Sequence, residues 1–493
     1  MNIKPSYLFL LLLCSALLSC SVNSHYSPAK KYPRKQLQED FMLMQHILEE
    51  KHPSLYWYTP KDSMDFYFSN YFNAIADSMT ELQFAWKILA PAVDKIHCGH
   101  TSVGMSKAYR KWAENKRFPS FPLFMKIWND TMAVTANLNR KDSVFKRGTI
   151  ITSINGIRSK DIIDNMFDYL PEDGYANNVN YIRLSSNFPY FHRNIYGLSK
   201  TYKVTYIDST GKEQKDTLPL YTAPQDSVKK DSLAKIERKN LPKEKKLLQY
   251  RSLQIDSSGK FAIMTLNTFS NGRLRSFFRR SFRELRKKKI NNLVLDIRSN
   301  GGGRVNLSTL LTRYISRKPF GVADTSFAKS RTLAPYARYI KGKFFNNIEI
   351  FFISSKASDG LYHMKYMERK RYKPKKLNGY KGDVYVLTNG PTFSAAALFC
   401  NAVKGQPGIT LVGEETGGGW YGNNGIMIPD MVLPHTKLHV RLPLYRIVQY
   451  NHVSIKGTGV MPDIPVPTSY EALLKGYDRK IQLVRDIIMS KTN

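Results

Sequence analysis

Cysteine is nearly absent: the 493 residues carry 4, namely Cys14, Cys20, Cys98 and Cys400. A scaffold stapled by disulfides is thereby excluded, and the chain must be held together by burial, which its length permits in two or three packed units. Acidic residues are also few. Against 75 Lys and Arg stand 39 Asp and Glu, leaving a formal net charge of +36, which points to nucleic acid, anionic lipid or a cell-surface polymer as an acidic partner class. The basic residues are spread over Lys229-Lys230, Arg279-Arg280, Lys287-Lys288-Lys289 and Arg369 to Lys376. No zinc-finger or RNA-recognition signature organises them, so a solvated basic surface is preferred over a nucleic-acid site. There is no Gly-Lys-Ser/Thr phosphate loop, no dinucleotide fingerprint and no internal repeat.

Long apolar runs are equally scarce. The one candidate, Tyr7 through Leu18, is shorter than the roughly 20 residues of a spanning helix. It follows Lys4 and closes on Leu17-Leu18-Ser19-Cys20, an ending that resembles a bacterial lipobox. The expectation is a signal peptide over 1–19 and lipid, palmitate among it, on Cys20. A linker over 20–35 would then tether the body to a membrane of the bacterial cell envelope, on its periplasmic or cell-surface face. Cys98 and Cys400 remain, each a few residues from a candidate site residue. They are expected as two buried thiols, or as a bridge if the compartment is oxidising.

Apolar spacing divides the rest. Phe41, Met44, Ile47 and Leu48, then Phe84, Ile88, Leu89 and Val93, recur at helical intervals and predict a helical unit over 36–115. Alternating strands follow over 116–224, with Gly148-Thr149-Ile150-Ile151-Thr152-Ser153-Ile154-Asn155-Gly156 resembling the turn, strand and Asn-Gly hairpin of a PDZ module. A charge-dense stretch over 225–250 predicts a linker. From 251 to 493 strands and helices alternate, predicting an α/β unit, with one closing helix from about Ser469.

Three stretches carry candidate chemistry. Leu295-Asp296-Ile297-Arg298-Ser299-Asn300-Gly301-Gly302-Gly303 runs a buried strand into a glycine turn whose N–H groups could hold an oxyanion. Thr388-Asn389-Gly390-Pro391-Thr392-Phe393-Ser394-Ala395-Ala396-Ala397 hands a strand to a helix at a serine. That position suits a plain helix cap, and equally a nucleophile with the Ala395 N–H beside it. Asp94 to Thr101 ends in Gly99-His100-Thr101, with His97 three residues before His100. A metal held by His97 and His100 is disfavoured for want of a third ligand. Asp296 and Arg298 are taken as a structural ion pair, and His192, His363, His435, His439 and His452 as structural histidines.

In order, Asp-x-Arg-x-Asn-x-Gly-Gly, the Ser-Ala-Ala helix, Gly413-Glu414-Glu415-Thr416-Gly417-Gly418 and Gly459-Val460-Met461-Pro462-Asp463-Ile464 resemble the tail-specific, or C-terminal processing, serine peptidases. The resemblance implies a crotonase-like catalytic domain with an N-terminal helical unit and a PDZ-like β-rich module, and cleavage of protein or peptide substrates without cofactor or metal. Carried over by position, Ser394 is the nucleophile, with oxyanion donors at Ala395 and at Gly302 or Gly301. One branch of the family uses a lysine base in the third motif, where this chain has Gly418-Gly419-Trp420. Lys404, ten residues beyond Ser394 on one helix, would lie about 15 Å away. The tricorn-like and interphotoreceptor-retinoid-binding-protein-like branch takes a histidine from the amino-terminal side instead, a position that His100 fills, with His97 as rival. Glu414 or Glu415 is expected to orient it. Two other readings stay open: an inactive peptide- or ligand-binding lipoprotein of the same fold, and a basic surface adhesin.

Overall fold

The computed structural model describes residues 26–224, 237, 239–450 and 455–491. The expected signal peptide, Cys14, Cys20, His452 and most of the charged linker lie outside these residues. No helix among the described residues is long and apolar enough to cross a membrane.

The predicted apolar stripes form the core of the amino-terminal lobe. On the helix Arg34–Lys51, Leu37, Phe41, Met44, Ile47 and Leu48 are all buried. They pack against Phe84, Ile88, Leu89 and Val93 from the run of helical turns over 81–94. Part of the stretch over 20–35 expected as a linker is folded. Lys31–Pro33 already pairs as a strand with Ser78–Thr80, and Tyr26 is seated against Tyr109 and Trp112 with its hydroxyl on Glu81 at 3.0 Å. Aromatic burial, invisible in a polar stretch, fixes those residues.

Residues 116–224 form the predicted β-rich module. Antiparallel strands run in the order Leu123–Trp128, Thr131–Asn137, Ile150–Ile154, Thr201–Ile207 and Glu213–Pro219, with the short Ile157–Arg158 beside Ile150–Ile154. Asn155 and Gly156 turn that hairpin at φ +51° and +82°, the left-handed pair of a two-residue loop. Helices Ser159–Phe167 and Asn178–Tyr196 flank the sheet. Lys243–Leu248, inside the expected linker, is helical.

Beyond residue 250 the main layer is a six-stranded sheet. Its order is Arg251–Ile255, Phe261–Leu266, Asn292–Asp296, Asp383–Thr388, Ile409–Gly413 and Ile464–Pro465, and only the first pairing is antiparallel. Leu293-Val294-Leu295 and Val384 to Leu387 are unbroken apolar runs because both faces are covered. Phe278, Phe282, Leu311 and Phe399 close one side, and Val484 and Ile488 the other. The single closing helix is in fact two, Tyr470–Lys475 and Arg479–Ser490. Gly476 stops the first at φ +69° and the Asp478 carboxylate caps the second, signals that the continuous apolar stripe masks. Sequence patterning also misses a second sheet of short strands, ordered Ser355–Lys356, Tyr362–His363, Ala323–Ala328, Tyr445–Gln449 and Gly422–Ile426. A three-stranded ribbon ties the lobes together: His439–Arg441 pairs with Asp430–Val432 on one side and with Val103–Gly104 on the other.

Candidate active site

The strand Asp383–Thr388 leads through a tight turn into the helix Ala395–Val403, and Ser394 stands at the junction with φ +52° and ψ −122°. That backbone costs a non-glycine residue on the order of 1–3 kcal/mol, so the surroundings must enforce it. They do so from two sides. The Phe393 amide donates to the Asn300 carbonyl at 3.0 Å and the Thr392 hydroxyl to the Ile297 carbonyl at 3.0 Å. Gly302 lies so close that a Cβ there would stand 2.7 Å from Ser394 Cβ. Although Ser394 occupies the cap position, its side chain makes no capping hydrogen bond, so the hydroxyl is left facing the cleft.

His100 arrives from the amino-terminal lobe, its buried ring tilted against Phe393 with the centroids 4.9 Å apart. Gly99 precedes it because a Cβ would fall 2.5 Å from the Phe393 ring. Neither imidazole nitrogen of His100 has a hydrogen-bond partner among the described residues. The gap between the two functional groups is kept by Gly425. A Cβ on that residue would sit 2.9 Å from Ser394 Oγ and 3.1 Å from His100 Nε2, so hydroxyl and imidazole converge on one point that only a glycine leaves open.

The carboxylate beside the imidazole is Asp173, which sequence reasoning missed. Its Oδ1 lies 3.6 Å from His100 Nδ1 and accepts the Gly99 amide at 2.9 Å, while Oδ2 accepts the Gly419 amide at 3.3 Å. The only local signal, Pro171-Glu172-Asp173-Gly174, is indistinguishable from an ordinary turn. The structure does not bring Glu414 or Glu415 to His100. Glu414 is paired with the buried Lys480 at 2.5 Å and lines a separate cleft of about 430 Å³. Glu415 accepts the Gly459 amide at 2.6 Å, and burial raises its carboxyl above the usual range. His97 is turned toward Glu172 at 3.0 Å.

Of the expected oxyanion donors, Gly302 is engaged: its amide donates to Asn300 Oδ1 at 2.9 Å. The amides of Gly301 and Ala395 have no acceptor among the described residues. Gly301, Gly302, Ser394 and His100 line one cleft of about 770 Å³, whose walls include Val179, Ile182, Phe393 and Ile428. Lys404 caps the far end of the Ser394 helix and pairs with Asp463 at 2.5 Å. Asp296 and Arg298 form the expected pair at 2.7 Å, extended by Asp478. Cys98 and Cys400 are both free and buried. Among the described residues no three His, Cys, Asp or Glu side chains are grouped to hold a metal ion.

Residues 260–466 match the model of peptidase family S41. That segment is a family S41 peptidase domain, and the chain is a serine peptidase, a hydrolase. Its fold is similar to that of mature CPAF, with a TM-score of 0.62 at 13% identity over 93% of this chain and 99% of that one. It is similar also to mature CPAF complexed with lactacystin, with a TM-score of 0.61 at 13% identity over 92% and 98%. No curated protein sequence matches the chain.

Proposed function

We propose that the chain is an endopeptidase that works through an acyl-enzyme on Ser394, with His100 as general base. The observation that carries this reading is the convergence of Ser394 Oγ and His100 Nε2 on the space above Gly425. Ser394 Oγ attacks the scissile carbonyl carbon as its proton passes to His100 Nε2. The carbonyl oxygen, now negative, is received by the amides of Ala395 and Gly301. Asp173, facing Nδ1, steadies the imidazolium and fixes the tautomer that leaves Nε2 free to take the proton. That proton then goes to the departing amine, and water, activated by the same imidazole, releases the acyl group.

The parallel sheet with its covering helices supports a crotonase-like catalytic domain. The antiparallel sheet with two flanking helices over 116–224 supports a PDZ-like module. We assign exported proteins or peptides as substrates, with the body held at a membrane by lipid on Cys20 on the strength of the Leu17-Leu18-Ser19-Cys20 ending. A serine-reactive fluorophosphonate should label the wild type, fail on Ser394→Ala and label His100→Ala at least ~100-fold more slowly. Equal labelling of wild type and Ser394→Ala would sink the assignment.

A further inference from the structure

The helix Lys343–Ile353 turns most of its apolar side chains away from the core. Its sequence places Phe344, Phe345, Ile348, Phe351 and Phe352 at positions i, i+1, i+4, i+7 and i+8, the single stripe that a surface helix ordinarily turns to the core. Here the stripe faces water: these five side chains are 67%, 75%, 44%, 48% and 78% exposed, and Ile350 is the helix's one buried residue. The opposite face meets the body through Ile350 and Ile353, and beside them Asn347 Oδ1 accepts the Leu333 amide at 2.8 Å. Asn346 Nδ2 donates to the Lys341 carbonyl at the entry of the helix at 2.9 Å. The orientation is therefore fixed by two isoleucine contacts and one hydrogen bond. Single exposed apolar side chains need no explanation, but a contiguous patch marks a surface that something covers.

Charge identifies what covers it. Residues 329–376, which contain the helix, hold 13 Lys and Arg against 3 Asp and Glu, and the Arg331 guanidinium stands 4.5 Å over the Phe351 ring. A second copy seated on the patch would set two such basic segments face to face, which is unfavourable. A neutral bilayer would take the phenylalanines and leave the cations unmatched. An anionic lipid surface satisfies both, since aromatic side chains enter the boundary between headgroups and acyl chains while Lys and Arg meet the phosphates.

We propose that the helix Lys343–Ile353 docks on an anionic bilayer, with Phe344, Phe345, Phe351 and Phe352 inserted and Arg331 and Lys343 on the headgroups. The contact is separate from any lipid on Cys20 and does not rest on the peptidase mechanism. It is tested with the full chain carrying Cys20→Ser, so that no acyl chain contributes, floated with phosphatidylglycerol–phosphatidylcholine vesicles or with phosphatidylcholine alone. Binding to the anionic vesicles should exceed binding to the neutral ones. Changing the four phenylalanines to serine should lower it by at least about tenfold, while the thermal melt and peptide hydrolysis stay as they were. In a Phe352→Trp form, brominated lipid should quench the new indole. Equal flotation of the serine variant, or an unquenched indole, overturns the proposal. A dimer that the serine substitutions dissociate, without any change in flotation, overturns it in favour of a second copy.

Discussion

At Gly425 a hydrogen atom stands where any other residue would carry carbon, and the proposed proton transfer from Ser394 to His100 depends on that difference. Gly425→Ala would put a methyl group 2.9 Å from Ser394 Oγ and 3.1 Å from His100 Nε2. It should lower kcat by about 100-fold with little change in Tm, measured by peptide hydrolysis and a thermal melt on the same preparation. The carboxylates separate in the same way. Asp173→Asn should lower kcat by roughly 10²- to 10⁴-fold, because the imidazole loses the group that orients it. Glu415→Gln should leave kcat within about threefold. Glu414→Gln should do likewise while lowering stability by about 3 kcal/mol, because Lys480 is left buried without its partner. Equal losses of kcat in the Asp173 and Glu414 variants would refute this division. Ser394 and His100 were legible because each lies in a short run with its own context, a strand entering a helix and a Gly-His-Thr. Asp173 was not, because its relation to His100 exists only after folding: it lies 74 positions beyond Gly99, to which it is bonded. Glu414 and Glu415 stand in a family motif, yet their side chains meet Lys480 and the Gly459 amide, partners that no spacing announces.

Among the elements, the helix Asn178–Tyr196 brings a pH-dependent contribution to the stability of the β-rich module. His192 on this helix is buried among Phe121, Phe188, Tyr196 and Tyr202. Burial pushes its imidazole down from 6.5 to about 4. The unfolded chain therefore takes up the proton first as pH falls from 6.5 to about 4. The stability contributed is whole above the upper value and declines by up to about 3 kcal/mol toward the lower one. His192→Phe should flatten that portion of a pH–stability curve measured by urea unfolding, and an unchanged slope would refute it. Elements were legible where periodicity was strong, as on Arg34–Lys51 and in the Asn155-Gly156 hairpin. They were not where strands are short and polar, as at Gly422–Ile426, whose Gly-Asn-Asn-Gly-Ile has no alternation yet supplies Gly425. Nor could the stripe on Lys343–Ile353 be oriented from sequence, because periodicity defines a face without saying what it meets.

Across the whole molecule, the residues of the proposed site come from separate parts: His100 from the amino-terminal lobe, Asp173 from the segment leaving the β-rich module's first helix, Ser394 from the parallel sheet and Gly425 from the second sheet. The lobes meet through the ribbon in which His439–Arg441 pairs with Val103–Gly104, and through Asp173 bridging the amides of Gly99 and Gly419. In graded urea, peptide hydrolysis should therefore fail before the far-ultraviolet circular dichroism does, and coincident transitions would refute this. The succession of helical, β-rich and α/β stretches was legible from apolar spacing, whereas the contacts between them were not, because they join residues far apart in the chain. Under the proposed mechanism a parallel sheet without the amino-terminal lobe would present a nucleophile with no base, and that lobe alone a base with nothing to deprotonate. Hydrolytic power would then belong only to the assembled molecule, whose finished shape would act as the safety catch on the peptidase.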